Sequence, residues 1–142
     1  MSDCIFCKIV NGEIPSAKVY EDENVLAFLD ISQLTKGHTL LIPKKHNENL
    51  FDLPKETAEQ LFSVVPKITN ALKSQLKIDD LNLVSNSGEK AGQEVFHLHL
   101  HIIPRYGKGD GYGTVLKSHA SEYTGEDLQN LAKEISNGIV KS

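Results

Sequence analysis

Three histidines at alternate positions, His97, His99 and His101, interleave with Leu98, Leu100 and Ile102. Side chains alternate across an extended strand, so this spacing predicts three imidazoles on one face and three apolar side chains on the other. A solvated polar stripe is the plain alternative, but such a face more commonly uses Lys, Glu or Thr. Half of the chain's six histidines fall within these five positions. Burying unpartnered imidazoles would cost roughly 1–3 kcal/mol each, so the cluster is read as functional. Two chemistries suit it. One is a tri-histidine metal centre. The other is a nucleophilic middle imidazole whose neighbours orient it and bind a charged substrate. An unperturbed imidazole, with a pKa near ~6.5, is mostly neutral and nucleophilic at neutral pH. Spacing alone does not choose between them.

Cys4 and Cys7, separated by two residues, form a second candidate cluster. They fit a redox dithiol, although the expected βαβ context is missing. They also fit two inert buried thiols, or half of a zinc site in which a tight turn supplies two thiolates and distant histidines complete the set. The glycine-rich segment 107–113 (GKGDGYG) is a loop. Its phosphate-cradling signal is weak, because no strand precedes it and no helix follows in the P-loop sense.

A sheet and a few helices must position these groups. Val19-Tyr20 and 25–29 read as strands of a hairpin around the acidic turn 21–24. TLLI (39–42) is a buried strand introduced by Gly37 and closed by Pro43. Pro54 opens a helical stretch at its first position. Leu61, Val64, Val65, Ile68, Leu72 and Leu76 fall there at helical spacing. Pro66 inside that pattern predicts a kink or two abutting helices. Residues 81–84 form another strand, followed by the polar loop 86–93. Glu94 to Ile103 is the clearest strand and ends at Pro104. Thr124 starts a capping box with Asp127 in the usual Glu/Gln position, and Leu128, Leu131 and Ile135 share one helical face. The fold class is α+β: a mostly antiparallel sheet with a central helix region and a C-terminal helix. All 142 residues are read as one domain, with a C-terminal extension carrying a helix over roughly 124–141.

The composition, 39% hydrophobic and 24% charged, is ordinary for a soluble globular protein. A formal net charge of -4 offers no concentrated basic patch, so no nucleic-acid partner is expected. No window approaches the ~18 continuous apolar residues of a membrane helix. MSDCIFCKIV lacks the features of a secretory signal. Two closely spaced cysteines cannot staple distant parts of the chain, so a cytoplasmic protein is expected. His119 has no motif context and is read as a surface residue.

HLHLHII resembles the signature of the histidine-triad (HIT) family, His-x-His-x-His followed by two apolar residues. CIFCKIVNGEIPSAKVYEDENVLAFLDIS, GHTLLIPKKH and NSGEKAGQEVFHLHLHIIPRY look like successive segments of its Hint-like branch, especially the bacterial members. The resemblance covers roughly residues 3–113. It implies a HIT-like fold with a five-stranded sheet, and a hydrolase acting at the α-phosphate of a purine nucleoside phosphoramidate or dinucleoside polyphosphate. The middle histidine, His99, would attack phosphorus to give a nucleotidyl-histidine that water hydrolyses.

The same resemblance gives His101 a donor role at the phosphate oxygens and the main-chain carbonyl of His97 a role in orienting His99. It places His38 near the leaving group and has Asn86, Gly92 and Gln93 line the phosphate. Asp30 would accept from the ribose hydroxyls, and Phe6, Ile9, Phe28 and Ile31 would surround the base. Many relatives carry Ser or Thr after the Gly-Gln pair, whereas this chain has Glu94, which leaves the leaving-group preference open. A structural zinc would take Cys4, Cys7, His46 and His97, with no open position and no organic cofactor. Family members are homodimers, so a homodimer is expected. Two further readings stay open: a metal-dependent hydrolase with a tri-histidine centre, and a nucleotide-sensing module without turnover.

Overall fold

The computed structural model describes residues 3–140. Two compact units divide between Tyr112 and Gly113. The first contains, in order, α1 (Ile5–Val10), β1 (Lys18–Glu21), β2 (Val25–Leu29), β3 (Thr39–Pro43), α2 (Lys55–Phe62), α3 (Val65–Leu76), β4 (Asp80–Val84) and β5 (Leu100–Arg105). The second contains α4 (Gly125–Asn137). The strands form one five-stranded sheet in the order β1-β2-β3-β5-β4. Every neighbouring pair is antiparallel, so the fold class is α+β as the sequence implies.

Side-chain alternation divides the core between the two faces of this sheet. Val25, Ala27, Leu41, Leu98, Leu100 and Ile102 bury against Leu61 of α2, Val64 between the helices, and Ile68 and Leu72 of α3. Leu26, Phe28, Leu40 and Ile42 bury on the other face with Phe6 and Ile9 of α1. Strands covered on both faces read as continuous apolar runs, which is why VLAFL and the LLI of TLLI show no polar alternation. The β1–β2 turn is closed by Asp22, whose Oδ1 accepts from the amides of Asn24 (2.8 Å) and Val25 (2.9 Å).

The helical stretch does divide into two abutting helices, with the break at residues 63–64 just ahead of Pro66. α2 stops at Phe62, and α3 starts at Val65 with Pro66 in its first turn, where a missing N–H costs no helical bond. Pro54 is not the first helical residue as expected. It is the extended residue that caps α2 from outside.

The expected strand over 94–103 is corrected more substantially. β5 begins only at Leu100. Its pairing with β3 begins at Leu41↔Leu100, and its pairing with β4 begins at Val84↔His101, so the preceding residues have no strand beside them. The amide of Leu98 instead donates to the Asn47 carbonyl at 2.7 Å. Nor does the strand stop before Pro104. It continues to Arg105, because β3 no longer pairs beyond Ile102 and a proline interrupts no ladder on that side.

In the second unit α4 is started by a complete capping box. Thr124 Oγ1 accepts from the Asp127 amide (3.1 Å), and Asp127 Oδ2 accepts from the Thr124 amide (2.9 Å). Among the described residues no helix is long and apolar enough to cross a membrane.

Candidate active site

α1 builds the first half of the site. Cys4 is its N-cap and Cys7 lies in its first turn, where the Cys7 amide donates to Cys4 Sγ at 3.2 Å. That bond turns both sulfurs toward one side of the helix start. His46, just beyond β3, and His97, just before β5, supply ring nitrogens to the same spot. Cys4 Sγ lies 3.4 Å from His97 Nδ1, and Cys7 Sγ lies 3.4 Å from His46 Nδ1 and 3.5 Å from His97 Nδ1. All four candidate ligand atoms fall within 4.8 Å of one another. Tetrahedral zinc with bonds of ~2.3 Å to sulfur and ~2.0–2.1 Å to nitrogen would set S···N edges of about 3.5 Å. The donor set therefore fits zinc in both chemistry and size. His97 Nε2 donates to the Pro43 carbonyl at 2.8 Å, which leaves the Nδ1 lone pair facing the sulfurs. Burial pushes the His97 pKa down to about 4, and it pushes the Cys7 thiol up, assisted by neighbouring Cys4.

The other two triad rings lie next along the same face. His99 Nδ1 donates to the main-chain oxygen of His97 at 2.8 Å. A carbonyl only accepts, so the proton of neutral His99 sits on Nδ1 and the lone pair on Nε2. Phe6 of α1 meets the His99 ring edge-on at 5.1 Å and the His97 ring at 5.9 Å, measured between centroids. His101 stands 4.9 Å from His99 by the same measure. Behind it lies His38, buried, with Nε2 at 3.0 Å from His101 Nδ1. Asp30 Oδ2 is 3.8 Å from His38 Nε2, while its Oδ1 accepts from the Ser32 amide at 2.7 Å. Burial lowers the pKa of His99 and of His38. His101 is lowered to about 4 by burial, then by the adjacent His99 and His38. The rings are thus neutral at physiological pH. Their strand-like alternation survives although only His101 lies within β5, because Leu98, Leu100 and Ile102 claim the opposite side.

The loop 86–93 contributes differently from expectation. Gly92 has φ +90°, a left-handed conformation that favours glycine, and Asn86 lies beside it. The side chain of Gln93 is buried and fully occupied within the protein. Its oxygen accepts from Asn49 Nδ2 (3.1 Å) and the Gly88 amide (2.8 Å). Its nitrogen donates to the carbonyls of Glu48 (2.6 Å) and Val95 (3.1 Å). The main-chain amides of Gly92 and Gln93 likewise donate inside the loop, to Glu89 and Gly88. Gln93 therefore staples two loops together and has no side-chain donor left for an anion. Phe6, Ile9 and Phe28 pack together in the α1-side core, whereas Ile31 is fully exposed and does not join them. Glu94 is exposed and lines an open groove with Cys4, His46 and Phe96.

A HIT domain matches residues 11–108 of this chain. The protein belongs to the HIT family. Its backbone superposes on the crystal structure of a HIT family protein from Bacillus anthracis with a TM-score of 0.95, at 61% identity over 97% of this chain and 98% of that one. The "Adenylylsulfatase HINT3" of Arabidopsis thaliana is 46% identical over 104 residues, 73% of this chain and 53% of the relative. A Zn-bound histidine triad family protein from Mycobacterium smegmatis superposes with a TM-score of 0.73, at 36% identity over 97% of this chain and 99% of that one. The HIT family generally acts on nucleotides, and its members are commonly nucleotide hydrolases.

Several groups that shape this HIT site carry no sequence signal. The Pro43 carbonyl behind His97 and the Asn49 amide on Gln93 are reached only through the fold. The same holds for the Leu34 amide, which donates to His38 Nδ1 at 3.3 Å. His119 makes a local pair with Glu122 at 2.5 Å on the surface of the second unit.

Proposed function

We propose that this HIT protein is a nucleotide hydrolase that cleaves a bond at the α-phosphate of a purine nucleoside phosphoramidate or dinucleoside polyphosphate through a covalent intermediate on His99. The observation that carries the reading is the 2.8 Å bond from His99 Nδ1 to the His97 carbonyl, which leaves Nε2 with its lone pair. In the first step a P–Nε2 bond forms as the bond from phosphorus to the leaving group breaks, and the leaving group takes up a proton from solvent. In the second step water attacks phosphorus and releases a proton to solvent, the P–Nε2 bond breaks to restore neutral His99, and the mononucleotide departs. His101 donates to the phosphate oxygens as charge develops on them. Asp30, beside His38, accepts from the ribose hydroxyls.

Cys4, Cys7, His46 and His97 would hold a zinc ion in a structural role, linking α1 to the segments just after β3 and just before β5. Free thiols kept as ligands suit a reducing, cytoplasmic setting. A tri-histidine catalytic metal is disfavoured, since the ligand-like groupings among the described residues are Cys4, Cys7, His46, His97 and Asp30, His38, His101, and His99 belongs to neither. Two copies pair into a homodimer, as family resemblance implies. Sedimentation at micromolar concentration tests this, and a persistent monomer would remove it.

The direct test of the reaction is to mix protein with an aminoacyl-type nucleoside phosphoramidate, quench rapidly, and map the adduct by mass spectrometry. A nucleotidyl group on His99 is expected. Absence of both adduct and turnover across these substrates would leave the nucleotide-sensing module as the better reading.

A further inference from the structure

The segment joining β2 to β3 is fixed from the far end of β5. Thr35 Oγ1 donates to the Pro104 carbonyl at 2.6 Å, and the Tyr106 hydroxyl donates to the Lys36 carbonyl at 2.6 Å. The loop after β5 is closed by Arg105, whose Nε and one terminal nitrogen donate to the two oxygens of Asp110 at 3.0 and 3.1 Å. That closure lays Gly111 (φ +127°) directly on the Leu34 main chain. A Cβ added at Gly111 would sit 1.9 Å from the Leu34 oxygen. No side chain fits there. Within the glycine-rich segment 107–113, Gly111 is the glycine that lies against Leu34, while Gly107 and Gly109 have open space beside them.

Leu34 in turn aims its amide at His38 Nδ1. An amide N–H needs a lone pair opposite it, so neutral His38 carries its proton on Nε2. That N–H faces His101 Nδ1 at 3.0 Å, which must then accept, and the proton of neutral His101 is left on Nε2. The opposite arrangement would set two donors, or two lone pairs, against each other in a buried site. The cost of unpaired buried polar groups favours the stated arrangement by about tenfold or more.

We infer that the Leu34 amide, held in place by Gly111, dictates through His38 which nitrogen of His101 bears hydrogen, so that His101 always offers an Nε2–H to the substrate anion. His38 and Gly111 are positioning residues: they act through His101. This rests on the proposed role of His101 at the phosphate, but the proton arrangement itself is measurable without turnover.

The first experiment is long-range 1H–15N correlation on zinc-loaded, 15N-labelled protein near pH 8. Pyrrole-type Nε2 and pyridine-type Nδ1 are expected for both His38 and His101, and a proton on Nδ1 of His101 would overturn the inference. In the second experiment, His38→Phe keeps the ring volume but removes the donor. Mixed His101 tautomers and a kcat lower by about a hundredfold are expected. His38→Gln restores an N–H toward His101 and should recover most of kcat. Equal activity of the Phe variant and the parent would overturn the inference. Gly111→Ala should give the same mixed His101 spectrum by displacing Leu34, and if it does not fold the His38 pair decides. The outcome separates cleanly from the covalent reading. The expected spectrum supports the proton arrangement whether or not an adduct forms, while a missing adduct counts against the nucleophile alone.

Discussion

His97 and His99 share one 2.8 Å hydrogen bond that joins two different chemistries. The ring of His97 faces Cys4 and Cys7, and its main-chain oxygen holds the ring of His99. Whatever fixes the His97 ring therefore also fixes the backbone from which His99 is oriented. The Pro43 carbonyl grips that ring from behind, at 2.8 Å from Nε2.

Zinc content and stability should fall together when this cluster is cut. Purified protein is expected to hold one zinc per chain by elemental analysis. Cys7→Ser should reduce this well below one and lower unfolding free energy by at least about 3 kcal/mol, since binding energy at a folded site is folding energy. His46→Ala should behave alike although it lies far from His99 in sequence. Full stability and activity after thorough chelation would remove the structural role.

Replacing the nucleophile should separate chemistry from folding. His99→Asn removes the Nε2 lone pair while retaining a short polar side chain. kcat should drop by about 10⁴-fold or more, with no adduct and with nucleotide still binding. Calorimetric titration with a nucleoside monophosphate checks the binding. A variant that still turns over at a tenth of the parent rate would show that another group attacks phosphorus.

Much of this arrangement is legible in the sequence, and the parts that are not share a cause. Period-two alternation found the burial of Leu98, Leu100 and Ile102 and the common side of the histidines, because burial patterning is local. It overextends β5 to Glu94, because a strand needs a neighbour and sequence does not reveal that pairing with β3 starts only at Leu100 and pairing with β4 only at His101. The family pattern brought Cys4, Cys7, His46 and His97 to one place, but periodicity alone could not join residues so distant in the chain. The family pattern groups Ile31 with Phe6 and Phe28, whereas its side chain projects fully into solvent. Gln93 reads as an anion ligand in sequence because its partners Asn49 and Glu48 are on another loop.

That last difference can be tested directly. Gln93→Ala would leave the Gly88 amide and the Glu48 carbonyl without their partner, at a cost of about 2–3 kcal/mol. The KM for nucleotide should change little beyond what loss of folded protein explains. Asp30→Ala should do the reverse, raising KM severalfold with a smaller loss of stability. Thermal melts and initial rates on the same preparations distinguish the two. A large KM effect at Gln93 in a fully folded variant would return it to the substrate site.

Acid should weaken the fold over a window set by His101. Its folded pKa is lowered to about 4, and His99, His38 and the Asp30 carboxylate are the titratable groups facing it. An unfolded histidine takes up its proton near ~6.5. Between these values the unfolded chain binds more protons than the native one, so stability rises with pH there. The contribution is complete above about 6.5, declines as pH falls, and is exhausted once pH passes about 4. Melting temperature measured from pH 8 to pH 4 should therefore fall most steeply across that interval. His101→Asn, which cannot titrate, should flatten part of the slope while leaving the share due to His38 and the other buried rings. An unchanged slope in that variant would mean that His101 is already solvated and protonated in the native protein.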